Sequence, residues 1–234
     1  MKKLLLIATT SATILSYNNV FAEAEQFYVK VEAGLSRMMN NKINVGRYTY
    51  KLKPNSSGII GGGVGYHISD SARVELTLDS VMNPTFKSNT LTSTEVDPKF
   101  GQVTMNSSLK VKTNVSSLLM SGYFDFFDAG SVKFFAGAGV GIARVGGKYT
   151  FTSQEIYKKT NTQQSFVDNI KSKNTINFAY QVSLGASTKL SDGVTLEGAY
   201  SFRSYGKLKK PKNDNIKSNN LNSNNIIVGL RFDI

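Results

Sequence analysis

The sequence predicts an all-β fold: an eight-stranded antiparallel transmembrane β-barrel with four long extracellular loops and short periplasmic turns. Three observations predict it. After residue 26 the apolar residues recur at a period of two, in segments of about ten residues, the length that a tilted strand needs to cross a bilayer. The connections between these segments are alternately short and long, which is typical of membrane barrels. The N-terminus has the pattern of an export signal.

The export signal occupies the first 22 of the 234 residues. Lys2 and Lys3 form a positive start, a short apolar run follows over 4–15, and small residues precede a cleavage point after Ala22. We therefore expect a signal peptide at 1–22 and an outer-membrane β-barrel domain at 23–234. No later run of 18 or more apolar residues occurs, so the sequence predicts no membrane-spanning helix.

Each segment has one apolar face and one face of small, polar or charged residues. In 134–147, Phe134 and Val140 share one face, and Gly137, Gly139 and Gly141 share the other, because successive side chains of a strand alternate. In a helix these glycines would be scattered around the axis and would be destabilising. The eight segments are 27–37, 58–68, 72–81, 112–126, 134–147, 175–190, 194–205 and 224–234.

Alternating apolar and polar residues also fit a soluble sandwich, and the succession of short and long connections favours the membrane barrel.

The polar faces of the segments carry full charges, and these charges determine how the barrel interior is filled. The interior of an eight-stranded barrel is just wide enough to be filled by side chains, so the glycines leave room for larger neighbours. Because buried unpaired charge is costly, we expect ion pairs in the lumen. The predicted lumen ion pairs involve Glu32, Arg73, Glu75, Asp79, Lys133, Glu197, Arg203 and Arg231.

The net charge of +12 is concentrated in the long connections, 38–57, 82–111, 146–174 and 206–223, which we expect to be loops without strands of their own. Such basic loops attract anionic partners, although lysine also simply keeps loops soluble. Tyrosines 149, 157 and 205 are expected to add contact area to a bound ligand. The candidate ligand-binding residues are Lys148, Lys158, Lys159, Lys171, Lys173, Lys207, Lys209, Lys210, Lys212 and Lys217.

Catalytic and metal chemistry have little support in the composition. The chain has no cysteine and one histidine, His67, which the alternation places on the lumen face near the short-turn end. We therefore predict no metal site, no cofactor, no catalytic residue and no enzyme activity. The sequence has no nucleic-acid-binding module, so no nucleic-acid partner is expected.

Two stretches and the composition carry a family resemblance. The ending NNIIVGLRFDI, the segment VKFFAGAGVGIARVGGKY and the abundance of Asn and Lys are similar to those of small outer-membrane barrels of the OmpA-transmembrane or OmpX type. Within that group the chain resembles the surface adhesins proposed for rickettsiae. This resemblance covers 23–234 and implies adhesion to host proteins, including the serum and matrix glycoprotein vitronectin, with help in resisting complement. The C-terminal strand also resembles the signal read by the barrel-assembly machinery.

The sequence thus predicts a monomeric surface adhesin of the bacterial outer membrane, with its loops exposed at the cell surface. Its expected partners are the lipid bilayer and lipopolysaccharide, a host extracellular glycoprotein and, during biogenesis, the barrel-assembly machinery. Three alternatives stay open: a structural or small-channel membrane protein without a specific ligand, a lipid-modifying barrel enzyme that depends on His67, and a soluble periplasmic barrel with an apolar ligand inside.

Overall fold

A computed structural model describes residues 27–45, 48–97, 101–158, 160, 162–208, 216–218 and 220–234. The predicted signal peptide at 1–22 lies outside these residues and stays a prediction. Within them the structure consists of β-strands joined by short turns and connections. The strands are β1 Phe27–Met38, β2 Asn41–Val45, β3 Tyr48–Pro54, β4 Ser56–Ser69, β5 Ala72–Val81, β6 Thr85–Ser88, β7 Leu91–Asp97, β8 Gly101–Ala129, β9 Val132–Tyr157, β10 Thr162–Ser191, β11 Val194–Lys207, β12 Ile216–Ser218 and β13 Asn220–Asp233.

Eight of these strands close into a ring, which confirms the predicted fold class. Its order is β1, β4, β5, β8, β9, β10, β11 and β13, and β13 pairs again with β1. Every pairing in the ring is antiparallel. Because closure of the ring pairs both edges of each of its eight strands, the ring itself has no open sheet edge.

The short connections are tight hairpins at one end of the ring. Each has two turn residues between consecutive strands: 70–71, 130–131 and 192–193. Gly130 and Gly193 have φ angles of +66° and +74°, which glycine adopts without the steric cost that a Cβ would bring. This end is called the short-turn end below.

Alternation along the ring strands separates two environments, as the period of two predicts. In β1, Tyr28, Lys30 and Glu32 are buried in the lumen, whereas Val31 and Leu35 are exposed on the outside. The same division in the other strands produces an outward-facing apolar band. Exposed members of this band include Ile60, Val64, Leu76, Leu78, Met120, Phe124, Val140, Ile142, Ile176, Phe178, Val182, Leu184, Ile226 and Val228.

Two of the lumen-facing glycines are positions of close approach. A Cβ added to Gly65 would collide with the ring of Tyr28, and one added to Gly137 would collide with the ring of Tyr123. The glycines therefore make room for the large polar side chains of neighbouring strands. This arrangement explains why a strand with one apolar face has an almost bare opposite face.

The expectation that the long connections are loops without strands was wrong. β8, β9 and β10 contain 29, 26 and 30 residues, about twice the predicted segment lengths, because their hairpin pairing continues beyond the apolar band. Four short strands of the long connections join this extension through the path β12–β2–β3–β6–β8, and β7 pairs with β8. We call this extension the outer tier; it consists of β2, β3, β6, β7, β12 and residues 101–114, 144–157 and 162–175.

Candidate functional site

The lumen near the short-turn end holds a network of buried charges centred on Lys30. Its Nζ lies 3.0 Å from Oε2 of Glu32, 3.2 Å from Oε1 of Glu75 and 3.3 Å from Oε2 of Glu197. Lumen-facing positions of three ring strands, β1, β5 and β11, supply these four side chains. Three carboxylates around one ammonium group compensate the cost of burying it.

Three arginines extend the network around the lumen. Arg73 contacts Asp125 at 2.7 Å and Glu197 at 3.0 Å, and Arg231 contacts Glu197 at 3.1 Å. Arg203 places Nη1 2.7 Å from Oδ2 of Asp79 and Nη2 3.3 Å from Oε1 of Glu32. Glu197 and Glu32 are therefore shared between cations, so the charged groups form one connected unit.

Sequence reasoning placed most of this network but misassigned one member and missed two. Lys133 lies instead at the short-turn mouth, where its Nζ is 3.4 Å from the carbonyl oxygen of Asp70. Lys30 and Asp125 belong to the network and were not among the predicted ion pairs. The signal for Lys30 was available, because it lies two residues before Glu32 and therefore on the same face of β1.

Aromatic rings and small voids complete the filling of this layer. The guanidinium carbon of Arg73 lies 4.7 Å from the centroid of the Tyr123 ring and 4.6 Å from that of Phe135, within cation–π range. The cavity beside these groups has a volume of about 20 Å³, which is room for about one water molecule. At the short-turn mouth an open basin of about 810 Å³ includes His67 and Asp233 in its lining. His67 Nε2 is 3.8 Å from Asp233 Oδ1, and its ring centroid lies 5.0 Å from that of Tyr28.

Above the charges the interior becomes apolar. Leu109 and Val111 of β8 and Val145 and Tyr149 of β9 are fully buried on the inward face of the outer tier. Burial of each such side chain contributes about 1.5–3 kcal/mol, so the tier has an apolar core, which it shares with the adjoining part of the ring. This core was missed because the long connections were treated as loops. It also includes Met38, Tyr50, Leu52, Ile59, Val81, Phe86, Val115, Leu119, Ala143, Ala179, Tyr205, Leu208, Leu221 and Ile227.

Two predicted contact residues belong to this core rather than to the surface. Tyr149 and Tyr205 are both 0% exposed, so the expectation that they contact a ligand was wrong. Alternation places both side chains on the inward face, where they pack against apolar neighbours. The third tyrosine, Tyr157, is partly buried and donates a hydrogen bond to Oε2 of Glu155 at 2.6 Å. Burial raises the pKa of Tyr149 to about 12.

The candidate ligand lysines fall at several positions of the outer tier. Lys148 and Lys171 are exposed and directly opposite each other on β9 and β10. Lys158 is exposed in the turn between these strands, and Lys173 lies at a register shift in β10. Lys207 is exposed at the end of β11. Lys159, Lys209, Lys210 and Lys212 lie outside the described residues, and for Lys217 only its place in β12 is described.

The structure adds lysines that sequence reasoning did not select. Lys112 of β8 is directly opposite Lys148, so Lys112, Lys148 and Lys171 form one row across three strands. A second row across β3, β6 and β8 runs through Lys53, Lys87 and Lys110. The members of both rows are exposed. The alternation of Leu109, Lys110, Val111 and Lys112 in the sequence was the available signal for this surface.

The family of the chain follows from a comparison with family models. The model of the outer membrane protein beta-barrel domain matches residues 4–232. The chain belongs to this family. The protein is therefore located in the bacterial outer membrane, and the apolar band contacts lipid. Since outer-membrane barrels have short periplasmic turns and longer extracellular connections, the outer tier lies at the extracellular end.

Relatives of this outer-membrane barrel carry adhesin names. A candidate adhesin of Rickettsia bellii (strain OSU 85-389) is 37% identical over 243 residues, and the alignment covers 100% of both chains. A candidate adhesin of Rickettsia akari (strain Hartford) is 36% identical over 243 residues, again with 100% of both chains covered. Among solved structures, Neisserial surface protein A is 17% identical with a TM-score of 0.46, and the match covers 89% of this chain and 97% of that one.

Two further features concern only the residues that the structure describes. These residues contain no helix that is long and apolar enough to cross a membrane. They also bring together no group of three or more His, Cys, Asp or Glu side chains that could hold a metal ion.

Proposed function

We propose that this outer-membrane barrel is a surface adhesin that binds a host extracellular glycoprotein such as vitronectin through its basic extracellular end. In this role it contributes to attachment to host cells and to complement resistance. Its full-length similarity to candidate rickettsial adhesins, at 37% identity, supports this proposal. We further propose that the barrel is a monomer and that the barrel-assembly machinery inserts it through its C-terminal strand, β13.

The observation that carries the proposal is the folded outer tier. A tier with an apolar core holds its lysines in defined positions, so less conformational entropy is lost when a ligand binds than with free loops. A macromolecule can reach three exposed lysines: Lys158 in a turn, Lys173 at a register shift of β10 and Lys207 at the end of β11. The partner that fits such a surface is acidic, and long-range attraction would accelerate its approach.

A capture assay on whole cells tests this function. Non-adherent bacteria that display the chain should capture purified vitronectin. A Lys158→Gln/Lys207→Gln variant should capture about two- to thirtyfold less, because each exposed charge contact contributes about 0.2–1 kcal/mol. The matched control is Lys133→Gln/Lys189→Gln, which removes the same charge from the periplasmic mouth and should capture like wild type. Capture should also fall as the salt concentration rises from low to physiological. Equal capture by both variants, or capture independent of salt, would contradict the proposal.

A further inference from the structure

The two lysine rows of the outer tier share one face of the sheet, and that face points outward. β9 pairs with β8 from Phe135 to Tyr157 without a register shift, so Lys148 lies on the same face as the lipid-exposed Ile142 and Val140. Directly opposed residues share a face, which extends this orientation from Lys148 to Lys112 and Lys171. The row of Lys53, Lys87 and Lys110 is joined to the same face through β8.

The carboxylates of the tier lie on the opposite face. Glu155 alternates in phase with the buried Tyr149, Glu95 pairs with Val103 on the same inward face, and Asp168 pairs with Phe151. Among the described side chains of the tier, none of the outward positions holds an acidic residue. None of the row lysines forms an ion pair with a described carboxylate.

Lysines in such rows repel one another. Adjacent strands are about 4.8 Å apart and directly opposed Cβ atoms about 5 Å apart, and like charges in this arrangement destabilise a sheet. Since no described protein group neutralises these rows, their counter-charge must come from outside the described part of the chain. Solvent ions alone would leave the repulsion largely in place at low salt.

The height of the rows above the membrane indicates where that counter-charge lies. Ile142 is the last outward apolar residue of β9 before Lys148, and Arg144 follows Ile142 two residues later on the same exposed face. At about 3.3 Å per residue and a tilt near 40°, Arg144 stands roughly 5 Å and Lys148 roughly 15 Å above the hydrocarbon edge. This span matches the phosphorylated headgroup and inner sugars of a glycolipid in the outer leaflet.

We propose that the outward rows of the outer tier bind the phosphate groups of lipopolysaccharide in the surrounding outer leaflet. Arg144 contacts the groups nearest the hydrocarbon, and Lys112, Lys148 and Lys171 contact those above them. The glycolipid cancels the repulsion within the rows and fixes the height of the tier relative to the membrane. The turn lysine Lys158 lies further from the membrane and stays available to soluble ligands.

Thermal unfolding with and without the glycolipid tests this surface. The full chain is folded in zwitterionic detergent and heated to a series of temperatures. Gel electrophoresis separates the folded barrel, which runs as a compact band, from the unfolded chain, and the temperature at which half is unfolded is the midpoint. Deep-rough lipopolysaccharide should raise the midpoint of wild type and of the Lys133→Gln/Lys189→Gln control. In a Lys112→Gln/Lys148→Gln variant the increase should fall to less than half. Dephosphorylated lipopolysaccharide should leave the midpoint of every protein nearly unchanged.

A second readout separates this role from a merely structural one. Without glycolipid, the Lys112→Gln/Lys148→Gln variant should unfold at the same or a higher temperature than wild type, because repulsion is removed, and Lys112→Arg/Lys148→Arg should keep the full glycolipid response. If the double Gln variant yields no compact band, the single variants Lys112→Gln and Lys148→Gln should each lose part of the response. An equal increase in the Gln variants and the control overturns the proposal. Loss of heparin binding with an unchanged glycolipid response would assign the rows to a soluble polyanion and would also overturn it.

Discussion

Nζ of Lys30 lies 3.3 Å from Oε2 of Glu197, although their strands β1 and β11 are separated in the ring by β13. The contact passes through the lumen and joins residues far apart in the sequence. Through Glu197 it also connects Arg73 and Arg231. The interior of the membrane-spanning section therefore behaves as one electrostatic unit, and its loss should be felt by the whole barrel.

Glu197→Gln should be strongly destabilising. The substitution keeps the shape of the side chain but removes the negative charge shared by Lys30, Arg73 and Arg231, and we expect a loss of about 3 kcal/mol in the free energy of unfolding. Urea unfolding in lipid vesicles measures it. Glu155→Gln in the outer tier is the control and should cost less than about 1 kcal/mol. Equal stabilities of the two variants would show that the lumen charges are not coupled.

Gly137→Ala should destabilise the barrel because the added Cβ meets the ring of Tyr123. Overpacking of this kind costs about 1–3 kcal/mol. Gly122→Ala is the matched control, since a Cβ there meets nothing within 4 Å, and it should be neutral or slightly stabilising. The same urea assay distinguishes them. A Gly137→Ala barrel as stable as Gly122→Ala would mean that the lumen has unused space at this level.

Tyr149→Phe should stabilise the outer tier, most clearly at high pH. The buried hydroxyl of Tyr149 has no hydrogen-bond partner among the described residues, so its removal should gain about 1 kcal/mol near pH 8. Because burial raises the pKa of Tyr149 to about 12 from an ordinary value of 10.0, wild type holds this proton more tightly when folded. The stabilisation that this higher pKa gives to the folded state is complete below pH 10 and is lost as the pH rises toward 12.

The measurement for Tyr149 is the change in unfolding free energy between pH 9 and pH 12 in both proteins. Wild type should lose roughly 2 kcal/mol more than Tyr149→Phe over this interval. Parallel pH profiles would show that Tyr149 is accessible to water in the folded protein, which would contradict a dry core in the outer tier.

The filled lumen predicts that the barrel does not conduct ions. The charged layer leaves a cavity of only about 20 Å³ beside Lys30, and an apolar core lies above it. In planar bilayers at high salt the purified chain should therefore give no discrete conductance steps, whereas an open porin in the same chamber does. Reproducible steps from the folded, monodisperse protein would support the small-channel alternative instead.

The sequence predicted the ring because membrane-spanning strands have a strict chemical alternation. Val140 and Ile142 face lipid, and Gly139 and Gly141 face the lumen, so the period of two is unambiguous. The outer tier lacks this contrast, since water replaces lipid on its outer side. There Thr, Ser, Asn and Gln alternate with few apolar residues over 101–108, and strand and loop have similar composition.

Individual partners were harder to predict than faces. Alternation placed Glu197 and Arg203 in the lumen, but which cation meets which carboxylate depends on strand tilt and rotamers across the ring. Alternation would also have placed Tyr149 inward if the predicted segment had continued past residue 147. Lys148 was selected for its charge, but its row with Lys112 and Lys171 depends on pairing that only the structure specifies.

The most direct test of this account measures the surroundings of outward-facing residues with nitroxide spin labels. Labels replace Val140 and Ile226, which lie on different sides of the ring, and Lys148, eight residues beyond Val140 on the same face of β9. In lipid bilayers we predict that labels at Val140 and Ile226 collide with oxygen and not with a water-soluble nickel chelate, and that the label at Lys148 shows the reverse. Nickel access or immobilised, packed spectra at Val140 and Ile226 would contradict a barrel with lipid outside and charges within.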